Sequence, residues 1–216
     1  MQFFNGLTGF IAENGISILQ VALVLVITPI FLSKVKERSQ KITTQGIAIS
    51  AMLMAVSIVL TRVASIIVPL GGLPGLRLGF GPIPIMIGSI MLGPFLGAMV
   101  GAGADLLGSM LASQGAFSPF IFISQTLYGV IPFYVLYLFK NKNSYSYLSA
   151  VVLTQLICGI ITSYGLAVMF GRTFGEYYIL RIPGQIILMA AYSIIIGLMH
   201  SHIYRVKKMV PMESSR

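Results

Sequence analysis

The sequence predicts an all-α membrane protein, and its composition, segment lengths and charge placement support this fold class. Hydrophobic residues make up 56% of the 216 residues and charged residues 9%, and the mean hydropathy is +0.93. This composition excludes an ordinary soluble domain. The apolar runs are continuous and close to the roughly 20 residues with which a helix crosses about 30 Å of hydrocarbon, whereas barrel strands would alternate over about ten residues. We therefore expect one bundle of six spans with an extra N-terminal transmembrane helix.

Basic residues form three clusters that lie at alternate ends of the predicted helices, in residues 34–41, 140–142 and 205–208. Loops rich in Lys and Arg stay on the cytoplasmic side of a membrane, so we expect all three clusters and the C-terminus in the cytoplasm. The net charge of +9 therefore reflects topology, and we expect no nucleic-acid partner. Four arginines are left for the opposite face: Arg62, Arg77, Arg172 and Arg181.

The first 40 residues contain an apolar run at 16–32. No Lys or Arg precedes this run and no small-residue cleavage site follows it, so a signal peptide fits poorly. The first basic cluster would hold the C-terminal end of the run inside. We interpret residues 1–40 as an extension with an extra transmembrane helix whose N-terminus lies outside.

The next predicted span, 43–64, carries a stripe of small residues. Ala51 and Ala55 are four residues apart, and Gly46 and Ser50 lie on adjoining faces. Such a stripe lets a second helix approach closely. That helix belongs either to the same bundle or to a separate membrane subunit. The connection that follows, 65–75, is apolar and rich in Gly and Pro, so we expect an ordered loop that lies over the bundle or dips into it.

Residues 76–108 predict two helices joined by a tight hairpin at Gly93. Arg77 stands at the start of the first helix, and the carboxylate of Asp105 lies near the end of the second. Charged groups cost free energy where lipid surrounds them, so both side chains need a partner. They either pair with each other across the hairpin or serve a ligand.

Three further spans are predicted at 119–139, 148–170 and 182–204. Pro119 falls in the first turn of the span 119–139, and Pro183 in the first turn of the span 182–204. Proline suits this position, because an amide hydrogen in the first turn of a helix has no acceptor within the helix. An outer loop at 171–181 carries Arg181 among aromatic residues. We assign the transmembrane domain to residues 41–208 and a short cytoplasmic tail to residues 209–216.

The residues available for chemistry are few and scattered. The chain has five carboxylates, two histidines and one cysteine. Cys158 alone can form neither an intrachain disulfide nor a thiolate metal site. No Gly-rich loop of the Walker type precedes any lysine, which excludes nucleotide hydrolysis by that route. We expect no catalytic residue, no metal site and no enzymatic activity.

A binding site is expected on the outer side, where the four arginines flank loops that carry Phe and Tyr residues. Aromatic faces suit a flat heterocycle, and guanidinium groups suit a carboxylate or phosphate. The alternative is that each arginine only reaches the membrane interface. In that case the chain is a structural membrane protein with no role in transport.

Several motifs in this chain occur together in a known family. The pattern GPxxGAxxGAxxD spans 93–105, RLGFGPIPI spans 77–85, RIPGQ spans 181–185, and Arg62 closes a helix with an AxxxA stripe. With these motifs the chain resembles the substrate-binding S components of energy-coupling factor (ECF) vitamin transporters, and within them the folate-specific branch. The likeness covers about 41–208. It implies a six-helix S-component bundle in the bacterial cell membrane with both ends in the cytoplasm.

The resemblance also implies partners and residue roles. Ala51 and Ala55 would dock on a transmembrane coupling subunit, whose two ATPase partners hydrolyse ATP, so this chain would need no cofactor of its own. Folate would bind through Arg62, Arg77, Phe80, Phe120, Ser124, Tyr177, Arg181 and Gln185. In this set, Arg62 would contact folate, the other arginines would meet its carboxylates or hold the loops, and the aromatic rings would sandwich it. Gln185 and Ser124 would read its polar edge. The stretch SPFIFISQTLYG at 118–129 departs from the family's usual run of small residues, so an S component for another vitamin or precursor stays open.

Overall fold

The computed structural model describes residues 43–70, 73–111, 118–139 and 143–209, without the side chains of 67–70, 73–77, 204 and 206–209. The predicted N-terminal helix in residues 1–40 lies outside these ranges, as does nearly all of the predicted tail at 209–216. Both remain predictions. The side chain of Arg77 is also outside the described set, although its backbone is within it.

The described ranges form helices and one short β-hairpin. The elements are α1 (Thr44–Arg62), β1 (Ile66–Leu70), β2 (Leu73–Leu78), α2 (Pro82–Leu92), α3 (Pro94–Leu111), α4 (Pro119–Tyr128), α5 (Ile131–Leu138), α6 (Ser144–Met169) and α7 (Phe174–Met209). Five segments of the described chain are long and apolar enough to cross a membrane: α1, α3, α4 with α5, α6, and α7. The predicted multi-pass helical fold is confirmed.

Helix α2 is the buried centre of the bundle. Its 11 residues span about 16 Å at 1.5 Å per residue, about half of the hydrocarbon thickness. Nine of them are buried, because α1, α3 and α7 pack around it. The predicted tight turn is confirmed: Gly93 alone separates α2 from α3, and its φ of +92° suits glycine. The helix before that turn is shorter than a full span.

The connection after α1 is a β-hairpin that reaches into the bundle. Strands β1 and β2 pair antiparallel, from Ile66 opposite Leu78 to Leu70 opposite Leu73. Two hydrogen bonds hold the segment that follows β2. Tyr192 of α7 donates its hydroxyl hydrogen to the Gly79 carbonyl at 2.5 Å, and Ser57 of α1 donates to the Gly81 carbonyl at 2.8 Å. Because both donors are buried, residues 79–81 lie inside the bundle. The connection predicted as an ordered loop at 65–75 belongs to the hairpin instead.

The predicted span at 119–139 is interrupted. Helix α4 ends at Tyr128 and α5 begins at Ile131, because Pro132 has no amide hydrogen to continue the helical ladder. The break lets the backbone of Gly129 approach that of Gly97 on α3 so closely that a Cβ on either glycine would overlap the other's carbonyl oxygen. The glycines of α3 therefore serve helix packing at this crossing.

The last helix begins eight residues earlier than predicted. Residues 174–181 were expected in a loop, but α7 starts at Phe174, with Glu176 in its first turn. An acidic side chain near a helix N-terminus is favoured by the helix dipole. Pro183 is accommodated inside the helix rather than at its start. As a result, Tyr177 and Arg181 project from a helix at four-residue spacing and not from a loop.

Candidate functional site

Polar side chains of α7 face a serine of α6 inside the bundle. Arg181 donates from Nη1 to Oγ of Ser163 at 2.9 Å. One turn further along α7, Gln185 donates from Nε2 to the same Oγ at 3.2 Å and to the carbonyl of Gly159 at 3.3 Å. Residues four apart lie on the same face of a helix. Arg181 and Gln185 therefore share one face of α7, and Gly159 and Ser163 share one face of α6. The structure thus brings two of the predicted site residues together.

The charge of Arg181 has no counter-ion in the described ranges. Arg181 is 7% exposed, and its Nε is buried without a hydrogen-bond partner there. The described carboxylates are Asp105, which pairs elsewhere, and Glu176, which is exposed. Burying a charge without a partner of opposite sign costs free energy. An anion that reached this guanidinium would therefore be stabilised.

Helix α4 forms the other wall of this cluster. Ser124 donates to the Cys158 carbonyl of α6 at 3.1 Å and accepts from Oγ1 of Thr162 at 2.8 Å. One turn away, the ring of Phe120 meets Tyr164 edge-on with centroids 5.3 Å apart. The side chain of Phe120 also lies directly over Gly165, where a Cβ would overlap it. Ser124 and Phe120 therefore line up along α6 beside the partners of Arg181.

Tyr177 lies one turn before Arg181, at the end of the cluster near the α6–α7 turn. It is buried, and its ring stacks almost parallel to that of Phe170, with centroids 6.1 Å apart and planes 13° apart. The four-residue spacing places Tyr177 and Arg181 on the same face of α7. The predicted residues Phe120, Ser124, Tyr177, Arg181 and Gln185 thus belong to one cluster between α4, α6 and α7, which we name the α4–α6–α7 cluster.

Phe80 is set apart from that cluster. It is 43% exposed and meets Tyr192 of α7 edge-on at 6.5 Å between centroids. Tyr192 lies seven residues beyond Gln185, about 10 Å along α7. Tyr192 and Tyr128 of α4 belong to the same buried core, so Phe80 adjoins that core at the far end of the cluster.

Arg62 is held by Asp105. Its Nη2 lies 3.7 Å from Oδ1 of that carboxylate, and the two side chains are 9% and 11% exposed. Gly108, one turn further along α3, leaves space for the guanidinium: a Cβ there would lie 3.0 Å from its Nε. Sequence analysis expected Asp105 to pair with Arg77 if it paired at all, and the observed ion pair joins α1 to α3 instead.

Sequence analysis missed two buried residues of the α4–α6–α7 cluster. Tyr128 donates its hydroxyl hydrogen to Oε1 of Gln155 at 2.7 Å, and Gln155 is 5% exposed. Gln155 precedes Gly159 and Ser163 by four and eight residues, so the three share one face of α6. The signal in the sequence that identifies Gln155 is an amide side chain in the middle of an apolar span, eight residues before a serine on the same helix face.

The two alanines of the α1 stripe lie on the outside of the fold, whereas Gly46 and Ser50 are buried. Ala51 and Ala55 are exposed, together with Met52 and Val56, whereas Ser57 points inward to Gly81. The exposed face is apolar, and it suits either lipid or a second membrane helix.

In the described ranges, no three His, Cys, Asp or Glu side chains come together as metal ligands.

Comparisons with known proteins agree on one family. The model of the family described as "ECF transporter, substrate-specific component" matches residues 45–205. A curated relative, the folate transporter FolT of Clostridium novyi (strain NT), is 29% identical over 148 residues, which cover 68% of this chain and 82% of the relative.

Two solved structures share the fold. The crystal structure of FolT bound with folic acid has a TM-score of 0.58 at 22% identity and covers 72% of this chain and 93% of that one. The structure of an S component of a bacterial ECF transporter has a TM-score of 0.57 at 24% identity, covering 75% and 96%. The resemblance drawn from the sequence motifs is confirmed. Since the family model spans most of the chain, this protein belongs to the substrate-specific components of ECF transporters.

Proposed function

We propose that this S component binds folate in the α4–α6–α7 cluster and passes it inward through an ECF coupling subunit. The folate transporter of Clostridium novyi, to which the chain is 29% identical, supports this choice of vitamin. The observation that carries the proposal is Arg181, a buried cation that lacks a carboxylate partner in the described ranges. Folate brings the carboxylates of its glutamate, which guanidinium groups bind well.

The other predicted residues take roles around this anchor. Tyr177, one turn before Arg181 on α7, and Phe120 on α4 offer aromatic rings, and Gln185 and Ser124 offer polar atoms one turn deeper on the same two helices. Phe80 would close the far end beside Tyr192. Arg62 already has a carboxylate partner, so we rank it below Arg181 as an anchor for folate, and the contribution of Arg77 remains a prediction.

The orientation and partners follow from the charges and the exposed face of α1. With the basic clusters in the cytoplasm, the C-terminus lies inside and the α6–α7 turn opens outward, where folate arrives. Ala51 and Ala55 would dock on the coupling subunit, and two ATPase subunits would supply the energy, so no cofactor binds this chain. The exposure of both alanines supports this docking face.

Calorimetry on the purified full-length chain in detergent tests the vitamin. We expect saturable binding of folic acid, competed by other folates and not by riboflavin, thiamine or biotin. Folic acid should also raise the thermal midpoint, because a ligand that binds only the folded state stabilises it. If one of the other vitamins bound and folic acid did not, the chain would serve that vitamin. If none bound, folate would be excluded, and the alternative of an S component for another vitamin or precursor would stand.

The docking face is tested separately in the assembled transporter. We expect Ala51→Trp and Ala55→Trp to abolish uptake of labelled folate, because a large side chain prevents close helix approach. Folic acid binding to the isolated variants should match the unmodified protein. Met110→Trp, on another exposed apolar face, is the matched control. Unimpaired uptake by both alanine variants would show that docking uses a different surface.

A further inference from the structure

The hydrogen-bonded pair of Tyr128 and Gln155 lies at a defined depth in the bundle. Gln155 is eight residues before Ser163 on α6, about 12 Å along the helix axis, and 14 residues before Met169, about 21 Å from the α6–α7 turn. Helix α4 runs antiparallel to α6, with Phe120 beside Gly165, Ser124 beside Thr162 and Tyr128 beside Gln155. The pair is therefore the deep end of the α4–α6–α7 cluster.

The amide of Gln155 has unused hydrogen-bond donors. Its Oε1 accepts from the Tyr128 hydroxyl, and its Nε2 makes no hydrogen bond in the described part of the chain. The Gln155 side chain is 5% exposed, and a ligand that covers it must accept the Nε2 hydrogens or leave them without a partner, so a ligand atom that accepts them would be favoured. The hydrogen bond from the Tyr128 hydroxyl to Oε1 leaves both Nε2 hydrogens for such a ligand.

The deep end lies on the same face of α6 as the residue that holds the anchor. Gln155 stands eight residues, about two turns, before Ser163, whose Oγ accepts from Arg181. Between them, Gly159 has no side chain, and a Cβ there would lie 2.9 Å from Oε1 of Gln185. A polar path thus leads from a cation near the α6–α7 turn, past the amide of Gln185, to the Nε2 hydrogens of a second amide. An elongated ligand with an anion at one end and a hydrogen-bond acceptor at the other fits this order.

We propose that Gln155, positioned by Tyr128, determines specificity by donating from Nε2 to the carbonyl oxygen of the pterin ring. This inference rests on the proposed function and extends it, because it assigns the ring to the deep end and the glutamate to Arg181. It also predicts discrimination. Replacing the ring carbonyl by an amino group turns the acceptor into a donor and leaves the Gln155 amide facing another donor.

The test compares three ligands by calorimetry on the full-length chain: folic acid, its 4-amino analogue aminopterin, and p-aminobenzoylglutamate, which lacks the ring. The unmodified protein should bind folic acid at least about tenfold more tightly than aminopterin, the usual scale for one mismatched buried hydrogen bond. Gln155→Glu keeps an oxygen for Tyr128 and replaces the donor by an acceptor, so the preference should vanish or reverse. Gln155→Met, which has no donor and no charge, should bind both ring ligands about equally.

Two controls separate a specific role from a structural one. Affinity for p-aminobenzoylglutamate should not change in the Gln155 variants, and Gln45→Glu, the same substitution at an exposed position of α1, should leave all three affinities unchanged. Tyr128→Phe should reduce the preference for folic acid part of the way, because the amide is then free to turn.

The outcomes for the two proposals are distinct. An unchanged ratio of folic acid to aminopterin affinity in both Gln155 variants would overturn this inference while leaving folate binding in place. An equal loss for all three ligands would show that Gln155 only supports the fold, and would overturn it too. If the unmodified protein bound no folic acid, the proposed function would fail and this inference with it.

Discussion

Two buried arginines in this protein differ in their partners rather than in their burial. Arg62 and Arg181 are similarly shielded, with 9% of the Arg62 side chain and 7% of Arg181 exposed. Arg62 lies 3.7 Å from the carboxylate of Asp105, whereas Arg181 has a neutral hydroxyl at 2.9 Å and no carboxylate in the described ranges. The charge of Arg62 is therefore balanced by a carboxylate of the same chain. The arrangement at Arg181 leaves a positive charge for which a ligand can supply the counter-ion.

Arg181→Gln should have the largest effect in this comparison, and on affinity rather than stability. Loss of a desolvated charge that pairs with a ligand carboxylate typically costs about 2–5 kcal/mol, so folic acid affinity should fall about 30-fold or more. The free energy of unfolding without ligand should stay equal or rise, because a buried unpaired charge is removed. Calorimetry and thermal unfolding measure the two quantities.

The matched control for that variant is Arg172→Gln, which removes an exposed arginine from the same α6–α7 turn. It should change neither affinity nor stability measurably. If Arg181→Gln instead destabilised the protein and bound folic acid normally, Arg181 would be a structural residue like Arg62.

Asp105→Asn should produce the reverse pattern. It leaves Arg62 buried without a counter-ion, so we expect the free energy of unfolding to fall by about 2 kcal/mol, at the low end for broken buried pairs because the pair is partly exposed. The affinity for folic acid should fall less than in Arg181→Gln. Thermal midpoints in detergent, with and without folic acid, provide the measurement.

A double variant, Arg62→Met with Asp105→Leu, separates the two possible roles of Arg62. Because it removes both charges, most of the stability should return. If folic acid affinity also returned, Arg62 would only hold α1 against α3. If stability returned and affinity stayed low, Arg62 would contact folate, as the family resemblance implies.

Ser163→Ala should have a smaller effect on affinity. The Ser163 hydroxyl accepts hydrogen bonds from both Arg181 and Gln185, and so fixes the guanidinium and the amide together. Without it, both donors lose a buried acceptor, which costs about 1–2 kcal/mol and corresponds to a roughly tenfold weaker affinity for folic acid. The control is Ser149→Ala on the same helix, because the Ser149 hydroxyl donates to the backbone carbonyl of Ser146 within α6. Equal affinities for the two variants would mean that Ser163 does not position Arg181.

The sequence predicted the fold class, and it named five residues that the structure brings together, because both depend on short-range pattern. Continuous apolar runs identify spans, and the four-residue interval from Tyr177 to Arg181 to Gln185 needs only a helix to bring the three onto one face. This spacing places the three side chains on one face only if residues 174–181 are helical, and the polar and aromatic composition of 171–181 is typical of a loop. The same reasoning applied to α6 would have linked Gln155 to Ser163.

The partner of Asp105 could not be predicted in this way. Arg62 and Arg77 both stand at ends of predicted helices on the outer side, where Asp105 lies near the end of another predicted helix. The choice depends on the β-hairpin, which places Arg77 on a strand opposite Ile67, and on Gly108, which gives the Arg62 guanidinium its space. These are long-range packing facts that periodicity and composition do not encode.

Gly159→Ala should have the smallest effect, and it tests how closely the cluster is fitted around Arg181. The added Cβ would lie 2.9–3.1 Å from the amide atoms of Gln185, which must move a few tenths of an ångström because they end a flexible side chain. Stability should change little, while folic acid affinity should fall by a factor of about three to ten, the scale of one weakened hydrogen bond. Gly197→Ala on α7, where a Cβ meets nothing within 4 Å, is the control and should bind like the unmodified protein. If Gly159→Ala also bound normally, the Gln185 amide would not contact the ligand, and the site would depend on Arg181 and on the deep pair of Tyr128 and Gln155.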